Sequence, residues 1–181
     1  MIRIVSDTST LYSTSQARES GFDVSPLSVT INNQTYREFD EISSEEFVSI
    51  IRQGHMPTSS QPAIGAVAAL YEKYADDEIL NIAMAHGLSG TYSSAVAAAE
   101  LTDHADQITV VNTRTLCGPH RYLVEKALDL AKKTRAFRKS LLIWNRKWTP
   151  PRVSSSLRTS TICVAVAVSL LWFPMSARPS I

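Results

Sequence analysis

Ile79-Leu80-Asn81-Ile82-Ala83-Met84, then His86-Gly87-Leu88-Ser89-Gly90-Thr91-Tyr92, then Ser93-Ser94-Ala95-Val96-Ala97-Ala98-Ala99 is the stretch that decides the fold. A short apolar run reads as a buried strand, and the small apolar run after the glycine-rich turn reads as a helix. The same alternation recurs on both sides. Ile2 to Val5 and Ile108 to Val111 read as buried strands, Thr14 to Ser20 as a short helix, and Phe22 to Ile31 as a strand ending at an Asn32-Asn33 turn. Ser43-Ser44-Glu45-Glu46 opens a helix running to about Gln53, with acidic groups in its first turn and Gly54 beyond its end. Tyr122 to Lys132 reads as the last helix of this series. Strands alternating with helices predict a layered α/β domain over residues 1–133, with a mainly parallel central sheet and flanking helices.

In such sheets the loops at the carboxyl ends of the strands form the ligand crevice. Ser6-Asp7-Thr8, His86 to Thr91 and Asn112-Thr113-Arg114 each follow a strand, so all three are expected on one sheet edge. Arg114 is expected to be a solvated arginine at the rim, with added positive charge for a ligand as the alternative. Two hydroxyl-rich loops, Pro57-Thr58-Ser59-Ser60-Gln61-Pro62 and the turn at His86, each open a helical run, with Pro62 suited to a first helical position. A helix start exposes unpaired N–H groups and partial positive charge, and hydroxyl donors beside it make a seat for a carboxylate or phosphate. The simpler reading makes Ser60 and Ser89 ordinary helix caps.

Asp7, directly after the first strand, invites comparison with the nucleophile or metal ligand of a phosphoryl-transfer enzyme. No second acidic residue accompanies it at useful spacing, so an Asx or hydroxyl turn at Asp7 or Thr8 is the expected role. Gly87-Leu88-Ser89-Gly90-Thr91 is not the G-x-S-x-G elbow of serine hydrolases. The four histidines show no ligand spacing, and there is no Walker loop or GxGxxG. Neither a metal nor a cofactor is expected. Two cysteines, Cys117 and Cys163, and no leader-like apolar segment after Met1 point to a reduced, cytoplasmic setting.

Taken together, Ile2-Arg3-Ile4-Val5-Ser6-Asp7-Thr8, Pro26-Leu27-Ser28-Val29, the Thr58-to-Pro62 loop and Leu88-Ser89-Gly90-Thr91-Tyr92 resemble the DegV family of fatty-acid-binding proteins. The resemblance covers roughly the first 130 residues. It implies that Thr58, Ser59 or Ser60 and residues around Gly87 hold a fatty-acid carboxylate, with Ser6, Asp7 and Thr8 as a supporting loop. The acyl chain would run through an apolar tunnel between two domains. The family implies a substrate carrier that presents a long-chain fatty acid to a separate fatty-acid kinase, not an enzyme. One departure stands out: family members carry serine where this chain has His86. The imidazole is expected to donate in its place. The alternative is a phosphate-ester-binding or hydrolysing α/β enzyme using Asp7.

After Lys133 the composition changes. Residues 1–133 hold all 17 acidic residues and ten of the 18 basic ones, a net of −7, and all six glycines; Trp144, Trp148 and Trp172 lie beyond. A basic arm of this kind ordinarily suggests nucleic acid or membrane, but neither partner is expected here. Val164-Ala165-Val166-Ala167-Val168, read one base earlier, requires codons with G in the middle. Over Thr159 to Leu170 that frame permits Asp-Leu-Asp-Tyr-Leu-Arg-Arg-Gly-Gly-Arg-Leu-Ser, which resembles the family's Tyr-Leu-Arg-x-Gly-Gly-Arg segment. Residues 134–181 are therefore expected to be an out-of-frame tail, with the second domain missing and lipid binding impaired. The apolar run Ile162 to Phe173 is too short for a span of about 20 residues and stops at Pro174.

Overall fold

The structure, a computed structural model, describes residues 1–133; the readings made on residues 134–181 lie outside the described residues. Four strands, β1 (Ile2–Asp7), β2 (Asp23–Ser25), β6 (Glu78–Ala83) and β7 (Ile108–Asn112), form one fully parallel sheet in the order β2-β1-β6-β7. Successive side chains of a strand point to opposite faces, so each buried strand needs apolar cover on both sides. Ile4, Leu80, Ile82 and Val111 pack with Val24 under helices α1 (Thr14–Ser20) and α5 (Cys117–Lys133), through Ala17, Val124 and Ala127. Val5, Ile79 and Ile108 face the other way, onto Val67 and Tyr71 of α3 (Ile64–Glu72) and Ala98 and Ala99 of α4 (Thr91–Glu100). The result is the expected α/β/α layering.

Helices α1 and α2 begin where the sequence supplies caps. The Ser13 side chain accepts from the Gln16 amide in a capping box, and Gly21 closes α1 with φ 94°, in the left-handed region that glycine enters without a Cβ penalty. Helix α2 (Ser44–Arg52) starts from Ser43, whose hydroxyl accepts from the Glu46 amide, and carries Glu45 and Glu46 in its first turn.

Three expectations are corrected. Phe22 to Ile31 is two strands in two different sheets: Pro26, which has no N–H for a ladder, separates β2 from β3 (Ser28–Ile31). Strand β3 pairs antiparallel with β4 (Gln34–Arg37) through Asn32 and Asn33, both at positive φ (50° and 59°), the conformation of a two-residue hairpin turn. Thr58 to Ser60 is not a loop opening a helix but β5, which pairs antiparallel with β3 to give a second sheet, β4-β3-β5. Helix α3 begins at Ile64 with Ala63 as its cap residue, so Pro62 lies one residue before the cap, outside the helix.

The small sheet is two-faced. Val29 and Ile31 are buried on Phe47 of α2. Ser28 and Thr30, alternating with them, point to the opposite face.

Candidate functional site

The parallel register brings the three strand-end segments to one edge, as the sequence implied, and hydrogen bonds stitch them together. The Asp7 carboxylate accepts from the Met84 amide (2.9 Å) and from the Ser9 amide (3.0 Å). The Asn112 side-chain oxygen accepts from the amides of His86 (3.3 Å) and Arg114 (3.0 Å), and the Ala85 amide donates to the Thr115 carbonyl (2.9 Å). Asp7 is 1% exposed with both oxygens taken by backbone N–H groups. That is the Asx-type structural role, and it leaves the carboxylate no free face for attack on a phosphate ester.

Ser6 and Thr8 are equally committed. The Ser6 hydroxyl donates to the Ile82 carbonyl (2.7 Å), and the Thr8 hydroxyl accepts from the Leu27 amide (3.0 Å) while donating to Glu38 (2.9 Å). Burial pushes the Glu38 carboxyl above its ordinary 4.5, against the Thr8 hydrogen bond and together with the nearby Asp7 charge. Leu27 immediately precedes β3, so Thr8 anchors the strand on which β5 rests. All three side chains are thus engaged inside the protein.

His120 completes this cluster and escaped the sequence reading. It is fully buried on α5: Nε2 lies 2.9 Å from the Ile82 carbonyl and 3.1 Å from the Ser6 hydroxyl, and Nδ1 lies 2.8 Å from the Ser9 hydroxyl. A carbonyl only accepts, so Nε2 carries the proton and Ser9 donates to Nδ1. The signal was present: His120, Leu123, Val124 and Ala127 fall on one helical face, and starting the helix at Tyr122 cut His120 from it.

The hydroxyl strand β5 is the opposite case. Thr58, Ser59 and Ser60 are all exposed, and among the described residues none of their hydroxyls has a side-chain hydrogen-bond partner. Thr58 stands opposite Thr30, Ser59 opposite Val29 and Ser60 opposite Ser28. Directly opposed residues share a face, so Thr58 and Ser60 lie together on the hydroxyl face while Ser59 points to the other. The expected trio therefore divides into a pair and a singleton.

Neither candidate serine is a helix cap. Ala63 and Gly90, the cap residues of α3 and α4, make no side-chain cap bond. Ser89 nonetheless serves the start of α4: its hydroxyl accepts from the Thr91 amide (3.2 Å) and lies 2.9 Å from the Thr91 hydroxyl. His86 and Gly87 are exposed. The His86 ring sits edge-on to Tyr92 at 5.7 Å, with Nδ1 3.2 Å from the Ser93 hydroxyl. Arg114 is exposed at the same edge. Three exposed large apolar residues border the two segments: Met56 before β5, Ile64 at the start of α3 and Leu88 in the turn before α4. Among the described residues no group of three or more histidine, cysteine, aspartate or glutamate side chains is placed to hold a metal ion, and no helix is long and apolar enough to cross a membrane.

Comparison with known proteins agrees with this architecture. Protein DegV of Bacillus subtilis (strain 168) is 34% identical over 135 residues, covering 72% of this chain and 47% of the relative. The chain thus spans about half the length of the curated relatives it matches first. A DegV family protein from Thermus thermophilus, whose solved structure is described as fatty acid binding, superposes with a TM-score of 0.69 at 28% identity over 80% of this chain and 53% of that one. The Streptococcus pneumoniae Fatty Acid Kinase (Fak) B3 protein, solved loaded with linoleic acid, shares the fold at a TM-score of 0.68 and 21% identity, over 81% of this chain and 55% of that one. The family model described as "Uncharacterised protein, DegV family" matches residues 1–142, and the chain belongs to the DegV family.

Proposed function

We propose that this chain holds the carboxylate of a long-chain fatty acid at the Thr58 and Ser60 face of β5, beside Ser89 and the His86-Gly87 turn that leads into α4. The observation that carries this reading is the pair of unengaged hydroxyls on an exposed strand. Every hydroxyl of the neighbouring supporting loop is bonded to the protein, whereas Thr58 and Ser60 are left to meet something else. The start of α4, where Ser89 takes the Thr91 amide, adds further first-turn N–H groups and partial positive charge, which favours an anionic head group. Met56, Ile64 and Leu88 supply apolar surface at the same place, and each methylene buried there contributes about 0.8 kcal/mol. Ser59, on the opposite face, takes the smallest part.

The chain would act as a carrier in the cytoplasm, presenting the carboxylate to a separate fatty-acid kinase rather than transforming it. The Streptococcus protein of the same fold, a fatty acid kinase B3 protein loaded with linoleic acid, supports that partner.

The test is a titration of a fluorescent long-chain fatty acid and the matching fatty alcohol into this chain and into Bacillus subtilis DegV, alongside mass spectrometry of lipid extracted from both. The acid should bind this chain measurably, as it should the Bacillus subtilis protein, and the alcohol more weakly. Equal binding of acid and alcohol would remove the carboxylate site. Adding a fatty-acid kinase and ATP should yield acyl phosphate from bound lipid, and its failure with a competent kinase would remove the partner.

A further inference from the structure

The six glycines of the chain fall into distinct classes. Gly21 and Gly54 sit at φ 94°, a conformation that explains them. Gly65, Gly87 and Gly118 have open space where a Cβ would stand. Gly90 differs from all five. Its backbone, at φ −72° and ψ 0°, is open to any residue, yet an added Cβ would meet the whole carboxamide of Gln61, at 2.3 Å from Oε1, 2.7 Å from Cδ and 2.8 Å from Nε2. The dihedral angles of Gly90 do not call for glycine; what stands in the place of a Cβ is the carboxamide end of Gln61, an exposed side chain from another element that a larger residue would displace.

That approach joins two parts of the molecule that belong to different sheets. Gln61 follows Ser60 at the end of β5, in the antiparallel sheet, while Gly90 begins α4, which packs on the parallel sheet. We propose that Gln61 is a positioning residue: its carboxamide, seated on the bare α-carbon of Gly90, sets the spacing between the Thr58 and Ser60 hydroxyls and the Ser89 end of α4, and with it the preference for a carboxylate over an uncharged head group. The second half rests on the reading of this place as a carboxylate site; the interlock itself does not. A site must be held to within about 0.5 Å for its bonds to reach full strength. Strand β5 has only three residues and one partner strand, so by itself it is a poor gauge of distance.

The experiment compares four proteins: the parent chain, Gly90→Ala, Gln61→Ala and the double variant. Two measurements are made on each: titration with the fluorescent fatty acid and its alcohol, and amide hydrogen exchange over residues 58–62 and 86–92 without ligand. Gly90→Ala, which forces the carboxamide out, should weaken the acid about tenfold, the scale of one lost bond to a charged group, and change the alcohol less than about twofold. It should speed exchange in both segments. In the Gln61→Ala background the same Gly90→Ala change should do nothing further, because the obstructing group is gone. A purely structural glycine would instead cost the same with or without Gln61, and that result overturns the proposal, as does parental exchange in both single variants. If Gly90→Ala fails to fold, Gln61→Ala and the double variant still decide: equal behaviour of the two supports the interlock, and failure of the double variant also to fold overturns it. Should the parent prefer neither ligand, the carboxylate reading falls while the exchange measurements still judge the interlock.

Discussion

Two clusters of serine and threonine lie near each other in this protein and are used in opposite ways. In Ser6, Thr8 and Ser9 every hydroxyl is engaged, by the Ile82 carbonyl, by Glu38 and the Leu27 amide, and by His120. In Thr58, Ser59 and Ser60 none has a side-chain partner among the described residues, and all three are exposed. The amino acids are the same and the surroundings differ. A hydroxyl under a helix must be paired inside the protein, since leaving it unpaired there costs about 1–3 kcal/mol. On an edge strand it is held by water and is free to be exchanged for a ligand.

The largest test of this contrast is Asp7→Ala, which strips the acceptor from the buried Met84 amide and from the part-buried Ser9 amide. A loss of about 2–4 kcal/mol of stability is expected, read as a lower denaturant midpoint at unchanged slope. His120→Ala should behave alike, because it leaves Ser9 and the Ile82 carbonyl short of a partner and opens a cavity. A stability change within about 0.5 kcal/mol for either would break the comparison.

Thr58→Ala and Ser60→Ala should show the reverse profile. Stability is expected to stay within about 0.5 kcal/mol of the parent, while fatty-acid affinity falls by about 1–3 kcal/mol each. Ser59→Ala should cost less than either, because β5 turns it to the other face. An equal effect of all three would show that strand alternation does not govern the site.

A smaller effect concerns Glu38, at the junction of the two clusters. Burial raises its pKa above 4.5, so the folded protein holds this proton more tightly than the unfolded chain does. The associated stability is complete below the unfolded value and is lost as pH rises through the raised folded value. Glu38→Gln keeps an acceptor for Thr8 and removes the charge. Its stability should exceed the parent's above that window, by about 1 kcal/mol, with a flatter pH profile. Parallel pH profiles for the two proteins would count against a buried carboxyl. Smallest of all, His86→Ser should leave both stability and affinity within about 0.5 kcal/mol, since His86 is exposed and restoring the family's serine keeps a donor; a larger loss of acid binding would make the imidazole a specific contact.

Three strands of the parallel sheet, β1, β6 and β7, were legible in the chain because each contains a short apolar run, Ile79 to Ala83 the clearest, whereas β2 was merged with β3 across Pro26. The antiparallel sheet was not legible. Gln34–Arg37 and Thr58–Ser60 contain no aliphatic residue, and their strand character comes from pairing with β3 rather than from their own pattern. Thr58–Ser60 also lies between Pro57 and Pro62, the punctuation of a loop. The hydroxyl residues were visible as a group, but which of them share a face depends on register against Ser28 to Thr30, and register across 28 residues is not written locally. His120 was hidden by a boundary placed five residues late.

The bond between Asp7 and the Met84 amide spans 77 positions of sequence, and it sets the order in which the chain can be completed. The β3-β4 hairpin closes over two residues and needs only microseconds. Strand β1 gains β2 early but waits for β6 before its second edge and the Asp7 carboxylate are satisfied, because distant pairing must first overcome the entropy of closing so long a loop. Pulse-labelled hydrogen exchange during refolding should protect β3 before β6. Strand β1 would thus pair on one side early and complete its second edge only when β6 arrives.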